Sequence, residues 1–279
     1  MKPRNAFPLA PAVALVLSLL GGNVTAAEHQ PNPFFAFDNG VGREAKWSPT
    51  EQAATLKAVG YDGIGYTGFE QFVERQKAFQ EQGQKIFSLY VPCFVDKPEP
   101  YSPQFKQAIP RLRGTGVMLW LTVQGKATND DAAVRIVREI GDLAAASGVR
   151  VALYPHKGLF VATTEDSLRV VRQVARTNVG VSLNLCHELA AGNGSRLEAI
   201  TKDSLPYLYL VSINGADHTG GWDKLIRPLD EGSYDVAGFL KSLRALGYTG
   251  PVGLQCYNVR GDQRENLRRS MAAWQKFNR

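Results

Sequence analysis

Cysteine, histidine and clustered charge are all scarce in this 279-residue chain. Its three cysteines, Cys93, Cys186 and Cys256, are an odd number and widely separated. A disulfide framework needs paired cysteines and a structural zinc site needs close-spaced ones, so neither is expected. Small buried thiols are the favoured reading, with a free or interchain thiol left over in an oxidising compartment. Basic residues outnumber acidic ones, 32 to 26, yet they form no stripe. Arg264, Arg268 and Arg269 read as the solvated face of a last helix, which argues against a nucleic-acid partner. The first turn, Asp38-Asn-Gly-Val-Gly42, lacks the third glycine of a dinucleotide-binding fold. The apolar run from Ala10 to Leu20 is shorter than the roughly 20 residues of a membrane span.

That run does fit another pattern. Lys2 and Arg4 precede it and small residues ending Val24-Thr-Ala-Ala27 follow it, the three parts of a cleaved secretory signal. Residues 1–27 are therefore expected to be a signal peptide, with cleavage near Ala26 or Ala27, and residues 28–33 a short leader. No cysteine follows the run to carry a lipid anchor. A secreted or periplasmic protein with no membrane span after cleavage is the expectation. Loss of Lys2 and Arg4, with no acid among residues 1–26, lowers the formal charge from +6 to +4.

From residue 34 onward, short apolar runs alternate with amphipathic stretches. Strands are predicted at residues 34–38, 63–67, 85–92, 116–124, 150–155, 180–185, 208–214 and 252–257, each rich in the residues of a strand buried on both faces. Helices are predicted at 50–59, 69–82, 103–112, 130–147, 164–175, 196–203, 236–246 and 265–277. Ser48, Thr164 and Asp235 are the expected N-caps, and Gly60, Gly148 and Gly247 the expected stops. Eight strand–helix repeats in one domain-sized chain predict an α/β fold, a single (β/α)8 TIM barrel over residues 34–279.

Such a barrel gathers the carboxyl ends of its strands into one mouth. Four segments with polar tips would contribute there: 150–156, 179–187, 208–217 and 251–257. They bring Tyr154, His156, Asn184, His187, Asn214, Asp217, Gln255 and Tyr257 to the mouth, with Asp38, Tyr66, Glu70, Tyr90, Trp120 and Gln124 from the first half. Aromatics mixed with amides and imidazoles suit a carbohydrate, stacking on its apolar face and binding its hydroxyls. For any single aromatic, plain packing is an equally good reading.

The second half resembles the xylose isomerase-like superfamily of sugar phosphate isomerases and epimerases. The resemblance rests on Tyr154-Pro155-His156, Asn184-Leu-Cys-His187, Asn214-Gly-Ala-Asp217 and Gly247-Tyr-Thr-Gly-Pro251 running on to Gln255. It implies a barrel in which two glutamates, an aspartate and a histidine would hold a divalent metal. Carried over, those four positions are Tyr154, Asn184, Asn214 and Gln255, all neutral near pH 7. A hard cation wants anionic oxygens, so the family's metal-dependent proton transfer is not expected. The resemblance also leaves room for a homodimer, since related barrels often pair through surface helices.

Three readings follow. A metal-free enzyme would use His156 or His187 as general base and Tyr154 as acid or oxyanion donor. Asn184, Asn214, Gln255, Asp217, Trp120, Tyr257 and Arg260 would bind a sugar or oxidised sugar undergoing epimerisation, elimination or hydration. A rearranged metalloenzyme would instead bind its ion through His156, His187 and Asp217. A carbohydrate-binding protein without turnover would need neither base. Arg260 and Arg264, near the mouth, point to a carboxylated ligand or simply to solvent. The loop Asp217-His-Thr-Gly-Gly-Trp-Asp223 reads as a lid or as an exposed crossing with Trp222 packed outside.

Overall fold

A computed structural model of the chain describes residues 32–43 and 45–278. The predicted signal peptide and most of the leader lie outside these described residues. Eight parallel strands close into a barrel in sequence order: β1 Phe34–Phe37, β2 Gly63–Thr67, β3 Lys85–Phe94, β4 Met118–Gln124, β5 Val151–Leu153, β6 Val179–Asn184, β7 Leu208–Ile213 and β8 Val252–Leu254. Closure is made by β1 against β8, with Phe35 beside Gly253. The helices are α1 Pro49–Val59, α2 Phe72–Glu81, α3 Phe105–Ala108, α4 Asp131–Ala145, α5 Thr164–Val174, α6 Leu185–Ala190, α7 Leu197–Ser204, α8 Trp222–Leu225, α9 Val236–Ala245 and α10 Gln263–Phe277. None of the described helices is long and apolar enough to cross a membrane.

Alternation along the strands divides the core in two. Ile64, Leu119, Leu121, Leu153, Val181, Leu183, Val211 and Ile213 face outward and pack beneath helical residues such as Leu56, Ile140, Val171 and Leu240. Phe35, Phe37, Met118, Trp120, Ala152, Tyr154 and Leu210 fill the barrel. Phe37 stacks on Trp120 at 4.3 Å, and Trp120 meets Tyr154 edge-on at 4.0 Å. The strands flanking β1 make room for this: a Cβ on Gly65 or Gly253 would lie 2.7 Å from the Phe37 ring. Trp120 Nε1 donates to Ser182 Oγ at 2.7 Å, so the buried indole is satisfied.

The helices start and stop much as the sequence indicates, with one shifted cap. Ser48 accepts from the Glu51 amide and Asp235 from that of Gly238, and Gly60 ends α1 in a left-handed conformation. On α5 the cap is Thr163 rather than Thr164: Thr163 and Asp166 form a reciprocal capping box. Cys93, Cys186 and Cys256 are all buried and free.

Candidate active site

The mouth holds a cavity of about 480 Å³. Its floor is aromatic, formed by Phe37, Tyr90, Trp120 and Tyr154, and Trp222 and Tyr257 stand in its wall. Polar groups come from β1 and the segment after it (Asp38, Asn39, Arg43), from β2 (Thr67), from the loop after β5 (His156, Lys157), from α6 (His187) and from β8 (Gln255).

Local sequence explains how these groups arrive. Tyr154 donates its amide to Leu121, but Pro155 has no amide to continue the ladder, so β5 stops and His156 turns over the cavity. The Asn184 side chain donates to the Pro155 carbonyl at 2.9 Å and holds that turn down. Asn184 is also the N-cap of α6, so β6 passes straight into a helix that carries His187. The Glu188 carboxylate then ties α6 to α5, accepting from the Thr164 amide, the Thr164 hydroxyl and Asn193, each at 2.7 Å.

Hydrogen bonds assign the two imidazole tautomers. The Lys157 amide donates to His187 Nδ1 at 3.3 Å, so the neutral ring carries its hydrogen on Nε2 and directs it to Tyr154 Oη, 3.1 Å away. Burial, with help from His156, pushes His187 down to about 3. His156 is arranged the opposite way. Its Nδ1–H donates to the Lys157 carbonyl at 3.0 Å, which leaves the Nε2 lone pair free. Burial lowers its pKa as well. The rings lie 4.1 Å apart, centroid to centroid.

Tyr154 Oη also receives a hydrogen bond from Gln255 Nε2 at 3.4 Å. The Gln255 amide is oriented by its oxygen, which accepts from Asn39 at 2.7 Å and from the Cys256 and Tyr257 amides at 3.0 Å. Burial raises the Tyr154 pKa well above its ordinary value, so the group is a phenol. With two donors on its oxygen, the phenol retains its own hydrogen to give. Across the mouth, Asp38 accepts from the Thr67 amide at 3.1 Å and the Thr67 hydroxyl at 3.0 Å. Burial raises its pKa, against the pull of the Thr67 amide and the Arg43 guanidinium.

The structure brings together Tyr154, His156, His187, Trp120, Gln255 and Tyr257. Four expected ligand-binding residues lie elsewhere. Asn184 is wholly buried between Pro155 and Ser212. Asn214 is wholly buried and donates to the Gly215 and Leu225 carbonyls, fastening α8 to β7. Asp217 pairs with Arg227 at 3.2 Å and accepts from the Ser233 amide. Arg260 is exposed beside a separate depression with Asn258 and Gln263. Arg264 pairs with Glu51. The lid segment does reach the site, since Trp222 approaches the His187 ring edge-on at 5.2 Å. Arg43, Thr67 and Lys157 escaped the sequence reading, although Lys157 is signalled by its place next to His156.

The alternative metal set of His156, His187 and Asp217 is not brought together among the described residues. Asp217 is held by Arg227 and Ser233, and among the described residues no three His, Cys, Asp or Glu side chains gather as a metal-binding group. Among the described residues, Asp38 is the one carboxyl group lining the cavity, which Arg43 and Lys157 also line. This donor set does not fit a hard divalent cation.

A closed parallel (β/α)8 barrel with an aromatic, imidazole- and amide-lined cavity at the carboxyl ends of its strands defines a TIM barrel. The chain belongs to the xylose isomerase-like TIM barrel family, whose sequence pattern matches residues 53–277. Its fold is similar to that of 3-keto-D-glucoside 4-epimerase from E. coli, at 17% identity and a TM-score of 0.70, covering 88% of this chain and 99% of that one. It is also similar to the IolI protein, solved with a zinc atom, at 18% identity and a TM-score of 0.67, covering 88% and 96%. An uncharacterized protein of Methanocaldococcus jannaschii is 25% identical over 125 residues, 44% of this chain. The match spans 42% of that relative's own length.

Proposed function

We propose that the protein is an exported enzyme that acts on a sugar or oxidised sugar by metal-free acid–base chemistry at a carbon beside a carbonyl. The observation that carries this reading is the pair of complementary groups in one cavity: the free His156 Nε2 lone pair and the braced Tyr154 phenol. His156 removes the proton, and Tyr154 donates to the carbonyl oxygen as negative charge develops on it. His187 and Gln255 hold Tyr154 in place. Trp120, Tyr90 and Tyr257 supply apolar faces for the sugar ring. Arg43 and Lys157, neither in an ion pair among the described residues, favour a ligand that carries a carboxylate. Similarity in fold to a 3-keto-D-glucoside 4-epimerase agrees with an oxidised sugar. The signal-like N-terminus supports action outside the cytoplasm.

The test is proton exchange in D2O, followed by NMR, on keto-sugars with and without a carboxylate. Deuterium should enter the position next to the carbonyl without added metal. The variants His156→Gln and Tyr154→Phe should slow this by about 100-fold or more. Binding without exchange would instead favour the non-catalytic reading, for which the exposed rim aromatics Trp222 and Tyr257, 40% and 58% accessible, are the supporting observation.

A further inference from the structure

We infer that Asp38 is the second acid–base group of this site, acting on the face of the bound sugar opposite His156, so that the reaction inverts a carbon beside the carbonyl. This rests on the acid–base reading above and assigns it a reaction type and a new catalytic residue. Asp38 directly follows β1, and His156 lies just beyond the end of β5. In a closed eight-stranded barrel these strands lie four places apart in either direction, which is diametrically opposite. Both side chains line the same cavity.

Among the described residues, no other acid competes for the role. Glu188 is buried and engaged with Thr164 and Asn193, and Asp217 is engaged with Arg227 and Ser233. Asp38 is 7% accessible, and Thr67 holds each of its oxygens from the strand side. The carboxyl group is therefore oriented before a ligand arrives. Its burial also favours the protonated form.

The step balances without any co-reactant. His156 Nε2 takes the proton from the carbon, and the C–H electron pair becomes the double bond of an enolate whose oxygen is hydrogen-bonded by Tyr154. The carbon–carbon double-bond pair then takes the proton of the Asp38 carboxylic acid on the opposite face, forming the new C–H bond, while a lone pair on the enolate oxygen restores the carbonyl. His156 ends protonated and Asp38 ionised, and exchange with solvent restores both. Inversion needs one such group on each face, whereas a single base returns its proton to the side it came from.

The experiment uses the full chain and the methyl glycoside of 3-keto-D-glucuronic acid, a keto-sugar that carries a carboxylate, in D2O, followed by NMR. Wild type should form the epimer labelled at the inverted carbon, with the unreacted sugar still unlabelled early in the time course. Asp38→Asn keeps the shape and an acceptor for Thr67. It should lose epimer formation by about 100-fold or more while still exchanging deuterium into the starting sugar through His156. Wild-type epimerisation by Asp38→Asn would overturn the assignment. So would loss of both exchange and epimerisation in a variant with an unchanged melting curve, or a dehydrated product from wild type. If Asn at position 38 prevents folding, the wild-type label alone decides: early label in both sugars means one base and rejects Asp38. Absence of any exchange by wild type would instead overturn the acid–base reading itself.

Discussion

Burial, reinforced by His156, holds the His187 imidazole neutral down to about pH 3. An unfolded histidine titrates near 6.5. Between those values the unfolded chain binds a proton that the folded chain refuses, so this residue makes stability fall as pH falls. The slope approaches about 1.4 kcal/mol per pH unit at its steepest. Denaturant melts from pH 6.5 to 4 should therefore fall off less steeply for His187→Gln than for wild type. Asp38 and Glu188, whose pKa values burial raises, act with the opposite sign, but they do so equally in both proteins and drop out of the comparison. Coincident slopes would mean that His187 is not held neutral. His156 governs a different pH dependence. Its pKa is also lowered, so its basic form persists below the ordinary histidine value. The exchange rate should stay level as pH drops through 6.5 and decline only further on the acid side. A decline centred at or above 6.5 would remove His156 as the base. The sequence placed both histidines at the mouth, but it could not divide their roles. That division depends on which ring nitrogen meets a backbone group of Lys157, and no residue pattern encodes it.

Among the elements, α6 and the four-residue α8 are the two helices the sequence hid. The eight strands and eight of the helices could be read from apolar runs, caps and glycine stops. Leu185–Ala190 follows β6 with no Gly or Pro between, so strand and helix merge into one apolar stretch. Strand tips were over-read for a related reason. Residues 154–155 and 255–257 continue the apolar pattern, yet Pro155 cannot extend a ladder, and the Gln255 side-chain oxygen Oε1 accepts from the next two backbone amides. Asn184 and Asn214, read from the sequence as sugar-binding residues, are instead wholly buried and serve as donors to buried carbonyls. What fixes α6, and with it His187, is Glu188. Removing its carboxylate in Glu188→Ala would strand the amide and hydroxyl of Thr164 in the interior. A loss of about 3 kcal/mol is expected, read as a lower urea midpoint with an unchanged slope. Activity should fall as well, because α6 would no longer hold His187 against Tyr154. A variant with wild-type stability would show that the Glu188 contacts are not made in solution.

For the whole molecule, the decisive quantity is the charge that the barrel gathers at its mouth. Among the described residues, Asp38 is the sole carboxyl group in the cavity wall, and it is outnumbered by Arg43 and Lys157. Both imidazoles are pushed toward their neutral forms, and the amides of Asn39 and Gln255 are directed at each other and at the backbone. Such a mouth is expected to favour an anion over a divalent cation. Protein purified without chelators is therefore expected to carry no stoichiometric divalent metal. Treatment with EDTA should leave its melting temperature and exchange activity unchanged. Sugar carboxylates should raise the melting temperature where the matching neutral sugars do not, an effect weakened by salt because Arg43 and Lys157 are exposed. The substitutions Arg43→Gln and Lys157→Gln together should abolish that preference. Elemental analysis showing one tightly held zinc or manganese per chain, lost on chelation together with activity, would sink this account of the cavity. In that case the ligands would have to come from side chains that now serve other partners, with Asn184 and Asp217 the first to re-examine.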